Sequence, residues 1–121
     1  RRAFEIACTL GGSYELKIET GTSPMINSPE VSDMIEAVAV DLLGRQNILP
    51  WKEELGAEDF GCFMDLAPGA MFALGTGSES IKCYLHNPDF DLDETSLPVG
   101  AAILAETALR FLRNSNNQTA K

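Results

Sequence analysis

Ala3, Phe4, Ala7 and Leu10 recur at helical spacing, and Gly11-Gly12 then breaks the repeat as a C-terminal cap would. This pattern predicts a short amphipathic helix at the start of the chain. From Ser13 to Thr20 the period changes to two, with Tyr14, Leu16 and Ile18 set against Glu15, Lys17 and Glu19. Such alternation predicts a strand with one wet face. The next stretch, Gly21 to Asn27, contains turn formers and no period, so it reads as a linker and a candidate domain boundary.

Ser28-Pro29-Glu30 has the marks of a helix start. Ser28 can cap, Pro29 suits the first helical position, and Glu30 with Asp33 complements the dipole. The helix is expected to run to Leu43, burying Val31, Met34, Ile35, Val38, Ala39 and Leu42, with Gly44 as its stop. Asn47 to Trp51 fits a short strand, and a further helix is expected over Asp59 to Leu66, ended by Pro68-Gly69. Ala70 to Leu74 is a continuous apolar run, which predicts a central strand buried on both faces. Thr76 to Ile81 reads as a mobile loop. Cys83 to Pro88 is extended or turning, because Asn87 precedes proline. The last helix starts near Ser96-Leu97-Pro98 and is expected to bury Val99, Ile103, Leu104, Ala108, Phe111 and Leu112 before fraying from Asn114 onward.

Composition narrows what such a fold can do. With 45% hydrophobic and 22% charged residues, the chain can form a packed core. A net charge of −9 with dispersed Lys and Arg excludes a phosphate-backbone partner and is unfavourable beside an anionic membrane. No uninterrupted apolar run approaches the roughly 18 residues that span a bilayer, and no secretory signal opens the chain. Cys8, Cys62 and Cys83 form no CxxC pair, which fits a reducing, cytoplasmic compartment. Arg1 is not a methionine and the opening reads as mid-helix, so the chain is expected to begin inside a longer protein.

Candidate chemistry gathers around the one histidine. His86 has the pKa and lone pair of a neutral metal ligand, and Asp89, Asp91 and Asp93 follow it. A single loop histidine is more often structural, and one imidazole cannot hold a catalytic zinc. The Asp91-Leu92-Asp93 stretch lacks the glycine and ligand spacing of a calcium loop. Glu58-Asp59 could act as an acid–base pair, although capping the helix that follows is the simpler role. Gly75-Thr76-Gly77 lacks the GK[ST] of a phosphate loop. Cys8 and Cys62 are read as apolar packing residues, with no signature of a Cys-His nucleophile.

Four motifs, taken in order, add a resemblance. They are Gly56-Ala57-Glu58-Asp59-Phe60, Pro68 to Gly77, Leu85-His86-Asn87-Pro88-Asp89-Phe90-Asp91-Leu92-Asp93-Glu94, and Leu97-Pro98-Val99-Gly100-Ala101. Their order and spacing resemble the C-terminal motifs of the metal-dependent aminoacylase, hippurate-hydrolase and indoleacetyl-amino-acid-hydrolase group. The resemblance implies that residues 24–121 are the C-terminal part of a catalytic domain and that residues 1–23 end an inserted lid domain. It also implies two divalent metals, manganese or zinc, and hydrolysis of N-acyl amino acids by metal-bound water that a glutamate deprotonates. By the same resemblance His86 is a metal ligand and Glu58 with Asp59 a supporting acidic pair. The other ligands and the general base then belong to an N-terminal half.

The expected fold is α/β, with two main helices on a small sheet preceded by the lid's helix and strand. A cut sheet leaves apolar surface and strand edges uncovered, so a homodimer or exchanged assembly is expected. The alternative is a stand-alone, catalytically silent domain that binds or oligomerises.

Overall fold

The computed structural model describes residues 2–19, 21–50, 56, 58–82 and 85–119. Its framework is a pair of helices. Ser28 enters the first of them with extended backbone (φ −65°, ψ 126°), and Pro29 occupies its first turn. The Ser28 hydroxyl forms no capping hydrogen bond. This helix, α2 (Pro29–Leu43), follows the N-terminal α1 (Arg2–Thr9) and ends at Gly44. Gly44 takes φ 83° while its N–H donates to the Val40 carbonyl at 2.8 Å. That left-handed exit favours a residue without Cβ. A short α3 (Phe60–Met64) and a long α4 (Leu97–Thr119) complete the helices among the described residues. A 3-10 turn over Glu94–Ser96 leads into α4.

Helices α2 and α4 pack on each other through Ile35, Val38, Ala39 and Ile103, of which Val38 is fully buried. Val31, Leu43, Ile48, Ala70, Phe72 and Val99 cover this cluster in part. The pair is also tied by charge. Arg110 donates from Nε to Glu106 at 2.9 Å and from Nη1 to Asp41 of α2 at 2.7 Å. Those bonds, the one to Glu106 first, raise the guanidinium pKa above its usual value.

The expected sheet is absent among the described residues. The run from Ala70 is extended, and its burial alternates: Ala70, Phe72 and Leu74 are half-buried, whereas Met71 and Ala73 face outward. A strand requires a neighbour to share its ladder, and the described residues offer none beside this segment. The expected α/β architecture is thus met in part: the described residues form a helical framework with one extended strap and no strand pair. The segment 13–19 likewise has no strand partner among the described residues and is exposed throughout. Arg45–Asn47 form a 3-10 turn where a strand was expected to begin, and Trp51 lies outside the described residues. Residues 76–81 are pinned rather than loose. Ser78 N–H donates to the Ile81 carbonyl at 3.1 Å, and Asp93 N–H donates to the Thr76 carbonyl at 2.8 Å.

The apolar stripe of α4 is only partly used. Ile103 is buried, but Leu104, Phe111 and Leu112 remain 61%, 57% and 57% exposed. Residues Glu94–Asn116 reach the length and mean hydropathy, 1.2, of a membrane span, although only 11% of that window is buried. Glu106 and Arg110 on the same helix are engaged in ion pairs, one of them to α2. Cys8 and Cys62 are exposed free thiols, contrary to the packing role expected of them.

The total accessible surface is 10589 Å². A folded monomer of this mass exposes roughly 6,400 Å² by the area–mass relation for single domains. The excess matches the many large apolar side chains left exposed along the chain.

Candidate functional site

The extended strap leads toward the loop that carries His86. After the turn at residues 78–81, the chain enters a second turn around Leu85 and His86. Cys83 and Tyr84, expected to be extended here, lie outside the described residues. His86 has φ 68° and is the one described non-glycine residue with positive φ. A left-handed backbone costs a residue with Cβ roughly 1–2 kcal/mol, so the local frame must impose it. That frame is visible. The Asn87 side-chain oxygen accepts from Asp89 N–H at 2.9 Å, and the Asn87 carbonyl accepts from Phe90 N–H at 3.0 Å. Downstream, Asp93 N–H reaches Thr76 and ties the loop's exit back to the strap.

Asp93 does not face a metal. It caps the turn into α4, accepting from Thr95 N–H at 3.0 Å and from the Thr95 hydroxyl at 2.6 Å. These bonds, the hydroxyl first, hold its pKa below the ordinary 3.8. Asp91 is likewise occupied locally, its side chain accepting from Leu92 N–H at 2.8 Å.

Glu58 and Asp59 stand at the start of α3. The Glu58 carboxylate accepts from Phe60 N–H at 3.0 Å, which is the capping role. Asp59 occupies the N-cap position without a side-chain cap. His86 is exposed and both acids are exposed. Among the described residues no three His, Cys, Asp or Glu side chains stand close enough to hold a metal ion. His86, Glu58 and Asp59 are thus not gathered into one site. The donor set of the described residues does not fit a metal on its own, since one exposed imidazole is a single ligand.

Two residues that shape this region escaped the sequence reading. Asn27, placed in a featureless linker, grips the strap at Met71. Arg110 joins the main helices. Its spacing of four from Glu106 was a readable signal, whereas nothing local in the sequence announces the contact of Asn27 with a residue 44 positions away.

Residues 3–110 match peptidase family M20/M25/M40. The chain is 33% identical over 110 residues to the probable hydrolase sll0100 of Synechocystis sp., covering 88% of this chain and 28% of that protein. It is 33% identical over 96 residues to the IAA-amino acid hydrolase ILR1-like 6 of Arabidopsis thaliana, covering 78% and 21%. With thermostable carboxypeptidase 2 of Saccharolobus solfataricus it shares 33% identity over 115 residues, covering 92% and 28%. The chain therefore spans about a quarter of the length of these relatives. No solved structure matches it significantly.

Proposed function

We propose, since this chain belongs to peptidase family M20/M25/M40, that it is the C-terminal part of an amidohydrolase that cleaves N-acyl amino acids and is silent by itself. One observation carries this reading: the exposed area exceeds that of a finished monomer by roughly two-thirds. Exposed apolar side chains are spread over the chain, among them Leu10, Ile18, Leu49, Leu66 and, on α4, Leu104, Phe111 and Leu112, and the remainder of a larger catalytic domain would cover part of them. Relatives named as hydrolase, amino acid hydrolase and carboxypeptidase supply the chemistry.

In the complete enzyme a divalent metal, manganese or zinc, would polarise the reaction's water and carbonyl. The role of this chain is narrower. His86 presents an imidazole from a turn whose shape is fixed by Asn87 and by the tie between Asp93 and Thr76. Glu58 orders the start of α3 rather than moving a proton. Until the rest of the enzyme covers it, the chain by itself hides its surplus apolar surface in a homo-oligomer. Light scattering should give a mass at least twice that of one chain, and a stable monomer at high concentration overturns this point.

A second reading is favoured by the lone histidine and by the lack of a metal-holding group among the described residues: a non-catalytic binding or oligomerisation domain of the same descent. Hydrolysis of N-acetyl and N-benzoyl amino acids separates the two. The enzyme-part reading requires His86-dependent turnover once the rest of the catalytic domain is supplied, and the binding-module reading requires none.

A further inference from the structure

The linker between α1 and α2 carries an unusual arrangement. The Asn27 side-chain oxygen accepts from Met71 N–H at 2.9 Å, and its side-chain N–H donates to the Met71 carbonyl at 2.8 Å. A carboxamide thus pairs with one residue of the strap as a strand neighbour would. Next to it, Ser28 N–H donates to the Gly69 carbonyl at 2.8 Å. At the other end of the same stretch the Ser23 hydroxyl donates to Asp65 at 2.6 Å. Gly61 of α3 is buried against the Ser23 carbonyl, so closely that a Cβ there would collide with that backbone. Residues 23–28 are therefore held at both ends, to α3 and to the strap.

Upstream the picture reverses. A Cβ at Gly21 would meet nothing within 4 Å, and α1 packs on none of the other described helices. The N-terminal residues instead close on themselves, with Phe4 and Tyr14 stacked at 4.6 Å and Gly12 N–H bonded to the Ala7 carbonyl at 2.9 Å.

We infer that Asn27 is a positioning residue that fixes where the N-terminal segment leaves the α2–α4 unit, so that rotation of that segment stays upstream of Ser23 and includes Gly21 and Thr22. Glycine at the boundary removes the steric limit on φ, while the paired carboxamide prevents the swivel from spreading toward α2. On the amidohydrolase reading, on which this consequence rests, the anchor sets the line along which a lid would move against the catalytic unit. The anchor itself does not depend on that reading.

The test is backbone relaxation and amide exchange on the whole chain, on Asn27→Ala and on Asn27→Asp. In the native chain, order parameters should stand near 0.85 at Met25, Ile26 and Asn27 and drop below about 0.6 at Gly21 and Thr22. Asn27→Ala should lower the first three toward the value at Gly21. It should also speed exchange of the Met71 amide by about tenfold, the factor one lost hydrogen bond commands, with Val38 and Ile103 amides unchanged. Asn27→Asp keeps the acceptor for Met71 N–H and should restore most of that protection. Uniform order from Gly21 to Asn27 in the native chain overturns the inference. So does an unaltered linker in Asn27→Ala, or loss of Val38 and Ile103 protection in both variants. Hydrolysis enters none of these readouts, so the inference and the proposed function fail separately.

Discussion

Asp93 shows how a residue read as chemistry becomes structure. It follows the histidine in the sequence at a spacing that invites a metal, yet its carboxylate is spent on Thr95 and its N–H on Thr76. Its pKa is held below 3.8 by those bonds, the Thr95 hydroxyl contributing most. A carboxylate depressed in the folded state contributes stability that is present above its unfolded pKa and is lost as pH falls through the folded one. The stability difference between the native chain and Asp93→Asn should therefore hold steady at neutral pH and shrink as pH falls below 3.8. Denaturant titrations across that range check it, and a difference that stays constant in acid contradicts the assignment. His86 is the converse case. The Leu85 to Glu94 motif implied a metal-ligand role for it, whereas its left-handed backbone had no signal in the sequence, because that conformation is imposed by the turn around it.

Among the elements, α2 and α4 carry the fold. The start and stop of α2 could be read closely: Pro29 opens it and Gly44 closes it, and Ile35, Val38 and Ala39 face inward. The buried stripe of α4 was overread. Its apolar spacing continues through Phe111 and Leu112, but only Ile103 among the six residues expected inside is buried. Periodicity reports which face could be covered, and coverage needs a partner. The same reason applies to the expected strands: Ala70 to Leu74 has the composition of a central strand and adopts the extended course, yet has no strand neighbour among the described residues. Because so few side chains fill the core, each weighs heavily. Ile103→Ala should cost about 2–5 kcal/mol, a large part of the roughly 5–15 kcal/mol that holds a small domain. Circular dichroism melts should show a much lower or absent transition, and a melt within a few degrees of the native chain would mean that the contact between α2 and α4 is not the core.

At the scale of the whole molecule, the described residues combine a helical framework, an extended strap without a strand neighbour among them and an exposed apolar face of α4, surface that the proposed reading assigns to the remainder of a catalytic domain. Membership of peptidase family M20/M25/M40 says what kind of protein that is, and the quarter-length overlap with its relatives says why one chain does not show a complete site. The direct measurement is turnover of N-acetyl and N-benzoyl amino acids with manganese or zinc. It should be made on the purified chain and on a chimera in which residues 3–110 replace the matching stretch of the Synechocystis relative, each with and without His86→Ala. The account predicts no turnover by the chain alone and turnover by the chimera that falls at least about a hundredfold in His86→Ala, the scale expected for loss of a metal-site residue. Turnover by the chain alone, or a chimera indifferent to His86, would contradict it.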